Sequence, residues 1–391
     1  MNKNSFSRGL FVGVIITVVL LVGSLGSMLV LDVAHLGQLV EVIHKVKIYS
    51  FSPVSLEGMI DGAMNGIVES LDDVYSDYLH PGEYQDLEEH ISGTYGGIGL
   101  LITESENNSL MVVSPFKGTP AYKAGIKTGD KIIEINGRDA AELGLAKSAS
   151  LMKGEPGTEV NLTVITKEGG SENNKEYNIV RELIHIPSVE GERLGENKEI
   201  AYLNLMMFSQ QTGEDLESLL KEITVDTAKG VILDLRDNPG GALDAALDVV
   251  GYFIPQGPAV HIVSKEEERA LSTSDNYIDK PLVVLVNEGS ASASEIVAGA
   301  IKDTGSGTLV GTKTFGKGLV QSVFEIRSGA ALKLTTAKYL TPNRHDINKK
   351  GIHPDITIKM DPELERKAIL MAPDLENDLQ LQRAVEILKE Y

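Results

Sequence analysis

The feature that most constrains the fold is a repeated unit in the second half of the chain: an apolar strand, a loop of small residues and a helix. Two such strands, Val231–Leu235 and Leu282–Val286, run directly into glycine-bearing loops followed by amphipathic helices. Nearly continuous apolar strands are typical of parallel sheets that are covered on both faces. Strand–loop–helix units also gather functional sites at the strand ends. With the strand Ile200–Leu205, they predict an α/β core over residues 182–360.

The segment after Leu282–Val286 offers a candidate nucleophile. Three serines alternate with alanines in the sequence SASAS at positions 290–294, at the predicted start of a helix. Small neighbours leave a hydroxyl accessible, and the helix N-terminus supplies positive potential. The middle serine, Ser292, is therefore the candidate nucleophile, with the backbone N–H of Ala293 facing an oxyanion and Ser294 as the predicted N-cap. The alternative is that these serines only cap the helix.

A serine nucleophile needs a base, and Lys317 is the candidate. None of the eight histidines stands in a metal-ligand spacing such as H-E-x-x-H. Lys317 lies between two glycines in GTKTFGKG, and burial lowers the pKa of a lysine so that a neutral amine becomes available. Gln321, four residues later, is predicted to share a face with Lys317 and to hold its amine.

The same stretch has an alternative interpretation as a phosphate-binding loop. GTKTFGKG nearly matches the pattern G-x-x-x-x-G-K-[ST], but Gly318 stands where the metal-binding hydroxyl is required. The following Leu319–Ile326 alternates like a strand, whereas a phosphate loop opens a helix. The sequence therefore favours the lysine base over nucleotide binding.

A third loop, LDLRDNPGG at 233–241, carries candidate oxyanion donors. Gly240 and Gly241 precede a predicted helix, Ala242–Tyr252. Backbone N–H groups at such a helix start can stabilise a developing negative charge. The alternative is a strand-to-helix turn in which the charged residues of this loop form structural ion pairs, and both interpretations can hold together.

Residues 91–181 are predicted to form a small β-rich domain, because short alternating strands such as Val160–Thr166 are separated by turn signals. Glycines let the N–H groups of a loop turn toward an anion, and a sheet edge can accept an extended peptide as an added strand. A peptide C-terminus supplies both the anion and the strand. The alternative is a plain tight turn. The candidate binding residues form one loop: Gly96, Gly97, Ile98, Gly99 and Leu100.

An uncharged apolar run, Gly9–Leu31, follows the cations Lys3 and Arg8. As a helix its 23 residues would measure about 34 Å, enough to cross a hydrocarbon core of about 30 Å. The cations keep the N-terminal side in the cytoplasm. We therefore expect a transmembrane anchor with residues 35–391 outside the cytoplasm. The alternative, a cleaved signal peptide, gives the same location but usually has an apolar region of only about 7–15 residues.

The remaining segments predict helices without obvious chemistry. Residues 35–90 carry apolar side chains at helical spacing, with Ser55 as the predicted N-cap of a helix that extends to Leu71. At the C-terminus, Leu375–Leu388 fits an amphipathic helix, which gives weak support to self-association. Packing, a spacer or dimer formation are the roles that these helices suggest.

Composition excludes several function classes. Asp and Glu total 56 against 36 Lys and Arg, which gives a net charge of −20. Nucleic-acid binders need a positive surface, so a nucleic-acid partner is not expected. The absence of cysteine excludes disulfides, thiolate metal sites and a cysteine nucleophile.

In their order along the chain, these segments resemble the C-terminal processing peptidase family, also called tail-specific proteases. The resemblance covers about residues 55–360 and rests on the PDZ-like domain together with LDLRDNPGG, NEGSASASE, GTKTFGKG-x-x-Q and GIHPDI. One departure is the segment 343–346, where many relatives carry a glycine-bearing turn. It lies outside the candidate catalytic residues and affects only the expected local loop shape.

The resemblance implies a serine peptidase with a Ser–Lys dyad, Ser292 and Lys317, in which Gln321 orients the lysine. It places the oxyanion hole on the backbone of Ala293 and of Gly240 or Gly241, and it implies no metal or cofactor. The implied fold is a crotonase-like α/β peptidase core with an inserted PDZ-like domain and an N-terminal helical region after one transmembrane helix. The expected domains are an anchor at 1–34, a helical region at 35–90, a PDZ-like domain at 91–181, a core at 182–360 and a C-terminal helical segment at 361–391.

The expected function is a membrane-anchored extracytoplasmic endopeptidase that recognises protein substrates by free, apolar C-termini. By analogy with the family, the terminal helices are expected to support a homodimer. Two alternatives come from other classes. One is a non-catalytic PDZ adaptor on a degenerate peptidase core, and the other is acyl-CoA chemistry on a crotonase-like core.

Overall fold

The computed structural model describes residues 35–105, 109–168, 171–273, 276–370 and 373–391. The chain divides into two compact units at Tyr78 and Leu79, and each is described by itself. The predicted membrane segment, Gly9–Leu31, lies outside the described residues. Among the helices that are described, none is both long and apolar enough to span a bilayer.

The first unit contains two helices, α1 at 35–49 and α2 at Leu56–Glu69, and a short strand, β1, at Asp77–Leu79 lies at the division between the units. The predicted N-cap of α2 is confirmed, because the Ser55 hydroxyl oxygen accepts the Gly58 amide hydrogen at 3.0 Å. The helix and its C-terminal turn expose one row of large apolar side chains at intervals of three or four residues. This row, named the α2 stripe, consists of Leu56, Ile60, Met64, Ile67 and Leu71.

The second unit begins with a helix and a β-rich domain. The domain packs an antiparallel sheet, in the order β3-β4-β5-β7-β8 with β6 beside β5, around its own apolar core. A ribbon of two paired strands, β2 and β9, joins its ends, because Gly97 lies opposite Glu182. The elements are α3 Pro81–Ser92, β2 Thr94–Gly97, β3 Leu100–Glu104, β4 Leu110–Pro115, α4 Pro120–Ala124, β5 Lys131–Ile135, β6 Arg138–Asp139, α5 Ala140–Met152, β7 Glu159–Glu168, β8 Ser171–Val180 and β9 Glu182–His185.

The α/β core that follows is a six-stranded sheet in the order β10-β11-β12-β15-β16-β19. In this sheet β11, β12, β15, β16 and β19 run parallel to one another, and β10 pairs antiparallel with β11. The elements are β10 Val189–Leu194, β11 Ile200–Leu205, α6 Thr212–Glu222, a 3₁₀ turn Val225–Thr227, β12 Gly230–Asp234, α7 Leu243–Phe253, β15 Leu282–Val286, α8 Ala293–Thr304, β16 Thr308–Gly311 and β19 Ile356–Thr357.

Every residue of β12 and of β15 is buried, as the apolar runs predict. Alternate side chains enter different clusters: Leu233 packs with residues of α6, α7 and α8, whereas Ile232 packs with residues of the C-terminal helix. Helices therefore cover both faces of the sheet, which confirms the predicted α/β layering.

A second, antiparallel sheet carries the region after the candidate base. Strand β18 pairs with both β13 and β17, and β14 pairs with β13. The strands are β13 Pro258–Ser264, β14 Glu268–Ser272, β17 Leu319–Glu325 and β18 Ala331–Leu340. The segment 311–318 thus leads into a strand, so the helix that a phosphate-binding loop requires is not formed there.

The C-terminal segment forms two helices, α9 at Pro362–Leu370 and α10 at Leu379–Lys389. The prediction of one helix from Leu375 is wrong at its start. The Asp378 side chain accepts the amide hydrogens of Gln380 and Leu381 and so caps the helix at that point. The apolar face of α10 is buried against the sheet, so this face does not support self-association.

A buried ion network connects α10 to the end of β12. Arg236 is 2% exposed, and its guanidinium lies 2.6 Å from an Asp234 oxygen and 2.8 Å from an Asp378 oxygen. The predicted structural ion pair of this loop is thereby confirmed for Asp234 and Arg236. Asp237 instead bonds to the amide side chain of Asn287, which follows β15. These contacts fix the start of the loop that carries Gly240 and Gly241.

Candidate active site

Ser292 lies at a strained turn between β15 and α8. Its backbone has φ 55° and ψ −113°, a conformation that non-glycine residues seldom adopt. Strain of this kind costs about 1–3 kcal/mol and persists only where the surroundings impose it. A strained strand-to-helix turn is also how nucleophile elbows expose a serine hydroxyl. The turn therefore presents Ser292 in the way that the sequence predicts, although the motif differs from G-x-S-x-G.

The three serines of SASAS have different surroundings. Ser290 and Ser294 are fully buried, and their hydroxyls donate to the carbonyl oxygens of Leu235 at 2.7 Å and Asn238 at 2.9 Å. Ser292 is only partly buried. The prediction that Ser294 caps the helix is wrong, because Ser292 occupies the N-cap position. The flanking serines tie this turn to the glycine loop, and the middle serine is the most exposed of the three.

Glu295, in the first turn of α8, joins the turn of Ser292 to the loop of Lys317. One carboxylate oxygen accepts from the Ser292 amide at 3.1 Å and from the Lys317 amide at 2.8 Å. The other accepts from the Thr314 hydroxyl at 2.6 Å and the Gly316 amide at 2.8 Å. The side chain is completely buried. Burial raises the pKa of Glu295, and these hydrogen bonds oppose that shift.

Sequence reasoning missed Glu295, although a signal for it exists. A serine followed three residues later by glutamate at a helix start is the capping-box pattern, in which the glutamate accepts from the N-cap amide. Ser292 and Glu295 make that contact. The pattern does not reveal that the same carboxylate also holds a loop some 20 residues further along the chain.

Lys317 lies partly buried in the loop before β17. Burial lowers the pKa of Lys317 below its ordinary value, the nearby Lys333 ammonium lowers it further, and the Glu295 carboxylate opposes both effects. Gly318 is pressed against the next loop, since a Cβ at this position would lie 2.8 Å from the Asn348 amide nitrogen. Gly318 thus permits the close packing that partly buries Lys317.

Gln321 is the third residue of β17, and Lys317 precedes that strand. Lys317 and Gln321 were predicted to share a face because side chains alternate regularly along a strand. A register shift between Val320 and Gln321 interrupts that alternation. Within the described ranges, the side-chain nitrogen of Gln321 is buried and has no hydrogen-bond partner.

The glycine loop lies directly against the candidate nucleophile. A Cβ on Gly240 would lie 2.8 Å from the Ser292 Cβ and 2.9 Å from the Ala293 nitrogen. The Gly240 amide donates to the Asn238 side-chain oxygen at 2.9 Å, so it can serve an oxyanion only if that bond is shared or broken. Gly241 has φ 145° and contacts Phe208. Ala293 is the first residue of α8, where amides have no acceptor within the helix.

The predicted peptide-binding loop borders a cavity of about 70 Å³ in the β-rich domain. Ile98, Gly99 and Leu100 line it, together with side chains of α5 and β3. Gly96 and Gly97 lie in β2, where Cβ atoms would collide with the Gly154 carbonyl oxygen and the Tyr95 ring. Those two glycines therefore allow close packing beside the cavity.

Lys153 at the edge of this cavity was not among the predicted residues. Its ammonium lies 5.3 Å from the centre of the Tyr95 ring and forms an ion pair with Glu89. It places an ammonium group beside the apolar cavity.

The parts of the chain that the structure describes offer no metal site, because no group of three or more acidic or histidine side chains in them could hold an ion.

Comparison with known proteins identifies the family of the chain. The model of peptidase family S41 matches residues 199–358, and the PDZ domain model matches residues 88–165. A carboxyl-terminal-processing protease from Synechocystis sp. is 37% identical over 333 residues, which cover 83% of this chain and 76% of that protein. A CtpA-like serine protease from Staphylococcus aureus is 37% identical over 332 residues, covering 84% of this chain and 65% of that protein.

Two solved structures are also similar. A photosystem II D1 C-terminal processing protease is 30% identical with a TM-score of 0.49, and the match covers 85% of this chain and 88% of that one. A Bacteroides fragilis chain described as an S41 protease is 18% identical with a TM-score of 0.52, covering 83% and 90%. At that identity the second match shows the fold alone.

We predict that Glu295→Gln lowers kcat at least tenfold while the protein stays folded. The amide has the size of the carboxylate but offers one accepting oxygen instead of two charged ones, and hydrogen bonds to a charged group contribute about 1.5–3 kcal/mol each. Steady-state kinetics and circular dichroism provide the measurement. Glu288→Gln, in the turn before α8 and outside this contact, is the control. Unchanged kcat in Glu295→Gln would contradict the prediction.

Proposed function

Since this chain belongs to the carboxyl-terminal-processing protease family and is a serine-type protease with a PDZ domain, we propose that Ser292 is its nucleophile and Lys317 its general base. One observation carries the proposal. The amides of these two residues bond to the same oxygen of the buried Glu295 carboxylate, at 3.1 and 2.8 Å. Residues 25 positions apart in the chain are thus brought to one place.

In the proposed mechanism, the neutral amine of Lys317 takes the proton of the Ser292 hydroxyl as the oxygen attacks the scissile carbonyl carbon. The electron pair of the carbonyl moves to its oxygen. The Ala293 amide and an amide of the glycine loop stabilise that negative charge. When the intermediate collapses, Lys317 returns the proton to the departing amine, and an acyl-enzyme remains on Ser292.

Water then releases the second product. Lys317 takes a proton from the water that attacks the acyl-enzyme, and the proton passes to Ser292 as the ester bond breaks. The environment of Lys317 supports this role, because burial and the nearby Lys333 lower its pKa and so increase the fraction of neutral amine. The strained turn supports the role of Ser292 by presenting the hydroxyl at the strand end. We propose Gln321 as the residue that orients the Lys317 amine.

We propose that the PDZ domain selects substrates by a free, apolar C-terminus. The loop Ile98–Leu100 offers backbone amides beside a small cavity with apolar lining, which suits a terminal carboxylate next to an apolar side chain. The Lys153 ammonium, which is paired with Glu89, lies at the edge of this cavity. A peptide that binds here supplies the end of a chain whose upstream part then reaches Ser292.

We also propose that the apolar run Gly9–Leu31 anchors the protein in the membrane and that the remainder lies outside the cytoplasm. The length of the run and the preceding cations support this. The test is alkaline carbonate extraction of membranes from cells that express the full chain, with a chain lacking residues 1–34 as control. Release of the full chain into the soluble fraction would refute the anchor.

The first test of the proposed reaction compares the full chain with Ser292→Ala and Lys317→Ala. Each is incubated with an unfolded protein that ends in apolar residues and with the same protein amidated at its C-terminus, and mass spectrometry identifies the fragments. We expect cleavage by the parent alone, weakened by amidation. Cleavage that persists in Ser292→Ala would exclude the proposed nucleophile. Binding of the free tail without cleavage by the parent would favour the adaptor function.

A second prediction concerns pH. Because the active base is a neutral amine, kcat/KM should rise with pH to a plateau, with a midpoint below the ordinary pKa of lysine. The Lys333 ammonium lowers the pKa of Lys317, so Lys333→Met should raise that pKa and move the midpoint to higher pH. Lys229→Met, which removes an exposed lysine paired with Glu199, is the control. A midpoint that moves to lower pH in Lys333→Met would contradict the assignment.

A third prediction concerns the α2 stripe, for which we propose a second copy of this chain as the partner. Its apolar side chains recur every three or four residues and remain exposed, as in helices that pair along one seam. Sedimentation of the full chain in detergent should show a dimer, and Met64→Glu should shift it to a monomer. Glu57→Gln, on the same helix outside the stripe, should keep the dimer. A parent that sediments as a monomer would refute the proposal.

A further inference from the structure

The Tyr339 hydroxyl contacts both residues of the proposed dyad through their backbones. It lies 2.6 Å from the carbonyl oxygen of Lys317 and 3.0 Å from the carbonyl oxygen of Ser292. The residue is 1% exposed. Resting on the proposed function, we propose that Tyr339 is a positioning residue that fixes the base loop against the nucleophile turn for catalysis.

The strand that carries Tyr339 is itself well anchored. On one side, Tyr339 lies opposite Ile262 of β13. Its own amide donates to the carbonyl oxygen of Gly318 at 3.1 Å, so main chain and side chain both bind the segment that contains Lys317. The ring belongs to the apolar core of the α/β domain. The hydroxyl is therefore delivered from a rigid element and not from a mobile loop.

Tyr339 completes a two-sided arrangement with Glu295. The Glu295 carboxylate accepts the amide hydrogens of Ser292 and Lys317, and the Tyr339 hydroxyl meets the carbonyl oxygens of the same two residues. Two buried side chains thus bind both backbone polar groups of both proposed catalytic residues. The two proposed catalytic residues are thus positioned through their backbones.

A hydroxyl has one hydrogen, and here two carbonyl oxygens share it. Phenylalanine would keep the packing of the ring and remove the hydroxyl that makes this shared contact. Without it, the base loop is held to the nucleophile turn by the Glu295 carboxylate and by the hydrogen bond from the Phe315 amide to the Ser290 carbonyl oxygen. We then expect Lys317 to leave its partly buried position more often. The hydroxyl thus keeps Lys317 close to Ser292 and shielded from water. A general loss of packing would not reproduce these two effects.

Substrate capture and proton transfer should respond differently. The PDZ cavity is lined by other elements, so KM should change little, whereas kcat depends on the approach of Lys317 to Ser292. Lys333 on β18 lowers the pKa of Lys317 and Glu295 on α8 raises it. Greater exposure of Lys317 would raise its pKa, because burial is the main cause of its low value. The acid limb of the pH–rate profile would then move to higher pH.

The experiment uses the full chain with Tyr339→Phe and a substrate with a free apolar C-terminus. We expect kcat to fall at least tenfold, KM to stay within about twofold, and the acid limb of kcat to move to higher pH. Tyr252→Phe is the matched control, because Tyr252 is a buried tyrosine of the same core on α7. It should leave all three quantities unchanged. Retention of the parent kcat and pH profile in Tyr339→Phe would overturn the positioning role.

Parallel measurements separate this inference from the proposed function. If Ser292→Ala remains active, the proposed function fails. If Ser292→Ala is inactive but Tyr339→Phe behaves as the parent does, only the role of Tyr339 fails. The rate at which a serine-directed fluorophosphonate labels Ser292, measured against pH, gives a second readout without substrate. If Tyr339→Phe changes the labelling rate and the thermal midpoint by the same amounts as Tyr252→Phe does, the Tyr339 hydroxyl has only a structural role. That result would overturn the inference.

Discussion

The arrangement of the site depends on one buried carboxylate. Glu295 is completely shielded from solvent, and an ionised group in such a place is strongly destabilising unless several donors compensate for the lost water. Three backbone amides and the Thr314 hydroxyl supply that compensation. Because the carboxylate cannot be satisfied by α8 alone, the loop before β17 must lie where its donors reach it. The position of Lys317 is therefore a consequence of burying Glu295.

The same constraint explains how a strained conformation persists at Ser292. Its amide is held by Glu295, its neighbours Ser290 and Ser294 bond to the β12 end and the glycine loop, and Gly240 packs closely against it. Each contact comes from a different segment of the chain. The strain of about 1–3 kcal/mol at such a residue is small beside the combined hydrogen bonds that would be lost if the turn relaxed.

Features of this structure could be predicted from the sequence when they depend on residues that are neighbours in the chain. The apolar runs of β12 and β15, the N-cap of α2 and the accessible serine of SASAS are written in neighbouring residues, and the structure agrees with them. The cap assigned to Ser294 was wrong because its hydroxyl is drawn to Asn238, a tertiary partner. The C-terminal helix begins at Leu379 after the Asp378 cap, and its apolar face packs against the sheet, a tertiary contact that the helical pattern does not reveal. Tyr339 gave no signal, since its contacts to Ser292 and Lys317 arise only when β18 is paired.

The way in which the site is held also bears on its chemistry. A carboxylate close to Lys317 tends to raise the pKa of the lysine, which would oppose its use as a neutral base. Here the oxygens of Glu295 are directed to amides and one hydroxyl, and burial remains the largest influence on Lys317. The fold thus uses the negative charge to position the backbone of the proposed dyad, while burial favours the neutral amine that the proposed mechanism requires. Holding the two residues by their backbones is what allows both requirements to be met at once.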